Sequence, residues 1–198
     1  MKGFTRKEPM FSLCGLNCAL CSMHVGGYCP GCGGGEGNQS CALARCSLEH
    51  GGLEFCADCA EYPCARYEGF DDADSFVPHS RRRADLERAR ELGLDAYMFE
   101  LREKAALLSE LLEGYNDGRR KSLFCTAAYL LPLPDLRETL QALRALPAQD
   151  AKERAASAAG LLQTAAAARG ISLKLVKSLK AEHLDKYTDK SYYKVRDL

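Results

Sequence analysis

Residues 14–64 read CGLNCALCSMHVGGYCPGCGGGEGNQSCALARCSLEHGGLEFCADCAEYPC, a stretch that holds ten of the chain's eleven cysteines. The spacing is C-x3-C-x2-C at Cys14, Cys18 and Cys21, then C-x2-C at Cys29 and Cys32. C-x4-C follows at Cys41 and Cys46, and C-x2-C-x4-C at Cys56, Cys59 and Cys64. A C-x2-C turn places two sulfurs on the same side of a tight loop, and a tetrahedral ion takes two ligands from each of two such loops. Between Cys29 and Cys32, Pro30 and Gly31 supply the fixed and the permissive backbone that such a turn favours.

Working outward, residues 1–70 contain eleven Leu, Ile, Val or Phe, about 16% of that span. This composition argues against a packed apolar core, and a segment of that size is marginal even with one. The segment therefore needs staples, and the cysteines are the candidates. Disulfides require an oxidising compartment. The start of the chain is broken by Lys2, Arg6, Lys7, Glu8 and Pro9, too polar for a secretory signal. The expectation is a cytoplasmic protein whose close cysteine pairs bind metal.

Two closed four-cysteine sites use eight sulfurs; three sites need twelve ligands, so ten cysteines would recruit two histidines. His24 and His50 follow Cys21 and Cys46 by three and four residues and are the candidates. A surface histidine beside a cluster is the alternative for each. Zinc suits such sites, with two or three Zn2+ expected, and an iron–sulfur cluster is the alternative cofactor. The spacing at Cys14, Cys18 and Cys21 matches the one that holds a four-iron cluster in radical S-adenosylmethionine enzymes. Those enzymes need a large βα barrel, and the remaining chain is short and helical. The ferredoxin run is absent, since Pro63 precedes Cys64 rather than following it.

The order CGLNCALC (14–21), CPGC (29–32), CALARC (41–46) and FCADCAEYPC (55–64) resembles an uncharacterised Cys-rich prokaryotic family, domain of unknown function three-seven-nine-five. The likeness covers about Leu13 to Tyr67. It implies zinc binding through Cys14, Cys18, Cys21, Cys29, Cys32, Cys41, Cys46, Cys56, Cys59 and Cys64, and it assigns no role to the rest of the chain.

Residues 71–198 read differently. Leu94, Tyr97, Met98, Leu101, Ala105, Leu108, Leu112 and Tyr115 recur at helical spacing, and Gly93 and Gly114 punctuate the ends of this helix. A preceding helix is expected over 81–92, with Ser80 as its N-cap. Further helices are expected over 119–131 and 135–146, separated by Pro132 and Pro134. The alanine-rich segment 149–169, closed by Gly170, is a fifth. Ile171, Leu173 and Leu175 alternate with polar residues, which suggests a short strand or extended segment near 171–176. The expected fold is mostly α: a metal-stapled irregular module over 1–70, an acidic linker around Gly69 to Pro78, and a helical domain of about five helices over 71–198.

Charge narrows the function. The chain balances 27 basic against 27 acidic residues, and residues 1–70 carry five Lys or Arg against seven Asp or Glu. Four thiolates on zinc add negative charge, whereas nucleic-acid modules offer a basic surface. No segment is long and apolar enough to span a membrane. Neither nucleic acid nor a membrane is expected as a partner; another protein is. Arg81 to Arg83 and Arg119 to Lys121 read as solvated helix faces, and the basic end from Lys174 to Arg196 as a solubilising tail. The glycines at 33, 34, 35 and 37 lack the strand and the Gly-Lys-Ser/Thr of a phosphate loop. Cys125, on an apolar helix face, reads as a small buried hydrophobe. No Ser/His/Asp set and no H-E-x-x-H are present, so no catalytic residue is assigned. The favoured function is a structural zinc module with a binding or regulatory role. An iron–sulfur protein for electron transfer or redox sensing is one alternative, and an enzyme with an open or reactive zinc thiolate is another.

Overall fold

The computed structural model describes residues 3–35 and 41–177. Gly37 and most of the basic tail, including Tyr187, Tyr192 and Tyr193, lie outside them. The fold is mostly helical, with seven α-helices among the described residues: α1 (Ser22–Val25), α2 (Ala42–Glu49), α3 (Arg82–Leu92), α4 (Leu94–Gly114), α5 (Lys121–Leu130), α6 (Leu133–Arg144) and α7 (Ala151–Ala168). The five expected helices beyond residue 71 are all present. None of these helices is long and apolar enough to cross a membrane.

Helix ends follow local chemistry. Asp150 caps α7 by accepting from the Glu153 N–H at 2.8 Å, while the Glu153 carboxylate accepts from the Asp150 N–H at 3.0 Å, a reciprocal capping box. At the other end Gly170 sits at φ +66. Its N–H donates to Ala167, and the Ile171 N–H donates to Ala166, which closes the last turn as a Schellman motif. Helix α3 departs from expectation: Arg81, not Ser80, is its N-cap, and no side chain caps it. The strand near 171–176 does not form. Ile171 and Leu173 lean on the main core, and Val176 is held instead by two bonds to Asp74 at 2.7 and 2.8 Å. A lone extended segment has no ladder partner here, so the Val176 N–H donates to the Asp74 carboxylate and its carbonyl accepts from the Asp74 N–H.

Helix α4 is the hub and packs on α3, α5 and α6; α7 closes over α5 and α6. Helix α5 is buried from Phe124 through Tyr129, Cys125 among them as expected. Its core partners include Leu108, Leu111, Leu136, Leu140 and Leu162, each no more than 1% exposed. Bidentate pairs Arg137–Glu103 and Arg144–Glu110 tie α6 to α4 across the surface, where solvent screens their attraction.

The cysteine-rich segment is not held by sulfur alone. Phe11 and Leu20, both fully buried, belong to the same apolar cluster as the helices, and the helical turn Cys18–Leu20 packs on α4 and α5. A second cluster gathers Phe4, Leu13, Cys14, Leu43, Ala44 and Tyr67. Eleven large aliphatic or phenyl residues are too few for a separate core, but enough to lend side chains to a neighbour's. Arg6, its side chain 1% exposed, cross-links the segment by donating to the carbonyls of Glu54 at 2.9 Å and Phe11 at 2.8 Å.

Candidate metal centre

The sulfurs ride on short turns. Residues 11–17 form a tight loop in which Ser12 and Leu16 exchange bonds and Phe11 bridges Asn17. Gly15, near its tip, has φ +92, and a Cβ there would lie 2.1 Å from the Arg82 carbonyl oxygen. Only glycine lets this loop rest on the first turn of α3. The Cys29–Cys32 turn is clamped from the other side. The Cys32 N–H donates to Pro9 at 2.9 Å, and a Cβ on Gly31 would meet that same oxygen at 2.6 Å. Cys41 precedes α2 as its N-cap and is exposed. Cys56 opens a helical turn and donates its N–H to Leu13 at 2.8 Å.

Two neighbourhoods result. In one, Cys18 feels the charges of Cys32, Cys14 and Cys21. In the other, Cys46, Cys56, Cys59 and Cys64 line a single cavity of about 30 Å³ together with His50. Cys14 stands between them and is felt by Cys18 and Cys56 alike. Among the described residues, no three of His, Cys, Asp or Glu are gathered closely enough to enclose an ion. The sulfurs are neighbours and not a closed cage.

The donor chemistry nevertheless fits a thiophilic cation. Burial pushes the Cys56 thiol up to about 12, against a hydrogen bond from Tyr67 and with the Cys14, Cys64 and Cys46 charges adding to it. Burial raises Cys14 and Cys18 as well. Such thiols resist ionisation by themselves, and a bound divalent cation reverses that preference. Both histidines direct Nδ1–H to a cysteine carbonyl, His24 to Cys29 and His50 to Cys46 in α2, each at 2.8 Å. That bond leaves Nε2 as the ligating nitrogen, the orientation metal-bound histidines adopt. Only His50 of the two lines the cavity.

Sequence reading missed what surrounds these loops. Arg82, in a triplet read as a solvated face, is 0% exposed. Its guanidinium lies 3.5 Å from the Phe70 ring centre, and Nε donates to Asp71 at 2.6 Å. Its charge favours the Cys14 thiolate. A basic triplet carries no signal for which member turns inward.

Asn17, between Cys14 and Cys18, was also unassigned. Its Nδ2 donates to Asp85 at 3.0 Å, its Oδ1 accepts from the Tyr97 hydroxyl at 2.9 Å, and its N–H donates to the Tyr129 hydroxyl at 3.3 Å. All four side chains are at most 5% exposed. Burial raises Asp85 to about 6 from 3.8, opposed by Arg81, Lys104 and Arg88. A folded-state value above the unfolded one means stability is fullest below about pH 4 and is lost as pH rises through about 6. The shift corresponds to on the order of 3 kcal/mol once Asp85 is ionised. Asp85→Asn should therefore gain roughly 1–2 kcal/mol on the wild type between about pH 5 and pH 7, read as the difference between their urea-unfolding free energies. An unchanged difference across that window would show that Asp85 titrates normally.

No family model, no curated protein and no solved structure matches this chain.

Proposed function

We propose that this chain is a zinc-binding protein whose cysteines hold structural ions that fasten residues 3–70 onto the helices, in the service of protein binding or regulation. The observation that carries this reading is the gathering of Cys46, Cys56, Cys59 and Cys64 around one small cavity, beside a second group of Cys14, Cys18, Cys21 and Cys32. One ion would draw on the first set, with His50 in reach. The other would draw on the second, with Cys29 on the same turn as Cys32. Zinc bound by four thiolates has no open position and supplies folding energy rather than chemistry. A reducing, cytoplasmic setting suits eleven cysteines of which none forms a disulfide, and the acidic balance of residues 1–70 suits a protein partner better than nucleic acid.

Elemental analysis and an optical spectrum of anaerobically prepared protein test it. Two zinc ions per chain and no visible absorption are expected. A brown protein bleached by dithionite would replace zinc with an iron–sulfur cluster, and a metal-free chain with a folded front third would overturn the reading.

A further inference from the structure

A cleft of about 230 Å³ opens beside Asn17, between α3, α4 and the end of α5. Its floor is the network just described: Asn17, Asp85, Tyr97 and Tyr129. Its walls carry Arg81, Arg88 and Lys104, with Glu100. A helical bundle does not need this arrangement, since each buried polar group costs desolvation that a leucine would not.

The charges are unevenly spent. Arg88 donates to Glu100 at 2.5 Å, so that pair is neutral. Lys104 gives one of its three donors to the Leu131 carbonyl at 2.6 Å. Burial pulls this ammonium down to about 8 from 10.5, with the Asp85 and Glu100 charges opposing the shift. Arg81 reaches Asp85 only at 3.8 Å, and burial biases that carboxyl toward its neutral form. Arg81 and Lys104 set against the one carboxylate of Asp85 leave one net positive charge facing the cleft. Below them, Tyr129 uses its hydroxyl oxygen to accept from Asn17, which leaves its proton to donate.

We propose that this cleft binds a small organic anion, a carboxylate or phosphate that also bears a hydroxyl, with Arg81 and Lys104 on the charged group and the Tyr129–Asn17 floor on the hydroxyl. The volume lies below that of drug-sized pockets, so a nucleotide does not fit whereas a compact metabolite does. Arginine gives the planar fork that carboxylate and phosphate share, and lysine adds a point charge. The site stands apart from the metal reading: it uses no cysteine.

Titration calorimetry on the full metal-loaded chain, at constant ionic strength, tests it with L-malate, succinate, glycerol 3-phosphate and inorganic phosphate as probes. Malate or glycerol 3-phosphate is expected to bind with Kd below about 1 mM. The hydroxyl-free partner of the better one, succinate or inorganic phosphate, should bind at least about 3-fold more weakly. Arg81→Gln, at an exposed position, and Lys104→Gln should each weaken binding about 10-fold or more. Arg137→Gln, whose partner is Glu103, should bind as the wild type does. The proposal is overturned if neither malate nor glycerol 3-phosphate binds below about 10 mM, or if Arg81→Gln binds as tightly as the wild type. Equal binding of the hydroxyl-bearing and hydroxyl-free probes would overturn the role given to the floor.

Discussion

Stripping the metal from the purified, reduced chain is expected to unfold residues 3–70 while α4 to α7 stay folded. Structural zinc contributes about 10–16 kcal/mol per site in small zinc peptides, as much as a whole domain's net stability of about 5–15 kcal/mol. Nothing else in the front third is of that size. Its own apolar cluster is six residues, one of them Cys14. The helices lose something as well, because Phe11 and Leu20 complete their core, and withdrawing two such side chains removes roughly 3–6 kcal/mol of burial. Leu108, Leu111, Leu136, Leu140 and Leu162 remain packed on one another around α5. Limited proteolysis with mass spectrometry, before and after a strong chelator, reads the outcome. Cuts confined to the front third, with a far-UV helical signal mostly retained, are expected. Protection of residues 3–70 after verified metal loss would show that the cysteines do not hold that part together.

Arg82→Met is expected to cost about 3 kcal/mol in the metal-loaded chain. Methionine keeps much of the length and the burial, so the loss isolates the charge. What goes is the stacking on Phe70 at 3.5 Å, the bond to Asp71 at 2.6 Å and a counter-charge beside Cys14. Asp71 keeps only Arg83, at 3.6 Å from a half-solvated position. Arg82→Lys should recover less than half of the loss, since an ammonium neither stacks flat nor offers a fork. Urea unfolding curves with unchanged slopes would give the values. A methionine variant within about 0.5 kcal/mol of the wild type would show that Arg82 is a tolerated burial rather than a fastener.

Much of the helical half could be read from the chain, because period and punctuation act locally. Helix α4 was expected between Gly93 and Gly114 and runs over Leu94–Gly114. The Asp150/Glu153 capping box is equally legible in the D-x-x-E spacing ahead of the alanine run. The grouping of sulfurs was legible as pairs, but not which pairs meet, because that depends on where the 11–17 loop lands on α3. Phe11 and Leu20 look isolated in a cysteine-rich context, and no local signal says that helices α4 and α5, far along the chain, will receive them. The cleft was hidden for the same reason. Arg81, Asp85 and Arg88 form an ordinary polar stripe, Tyr97 an ordinary apolar-face aromatic, and Lys104 an ordinary surface lysine. They become a site only when Asn17, from another part of the chain, is laid among them.

That placement of Asn17 has a thermodynamic corollary. The residue is bracketed by two sulfur donors at its back and grips three side chains of the bundle at its front. On the two readings proposed above, the conformation of its loop enters both binding equilibria. Reciprocity of linked equilibria then applies: by whatever factor a seated cation improves the reception of the anion, the anion must improve retention of the cation. Were both proposed sites filled, the supply of one solute would bear on the occupancy of the other through the posture of Asn17.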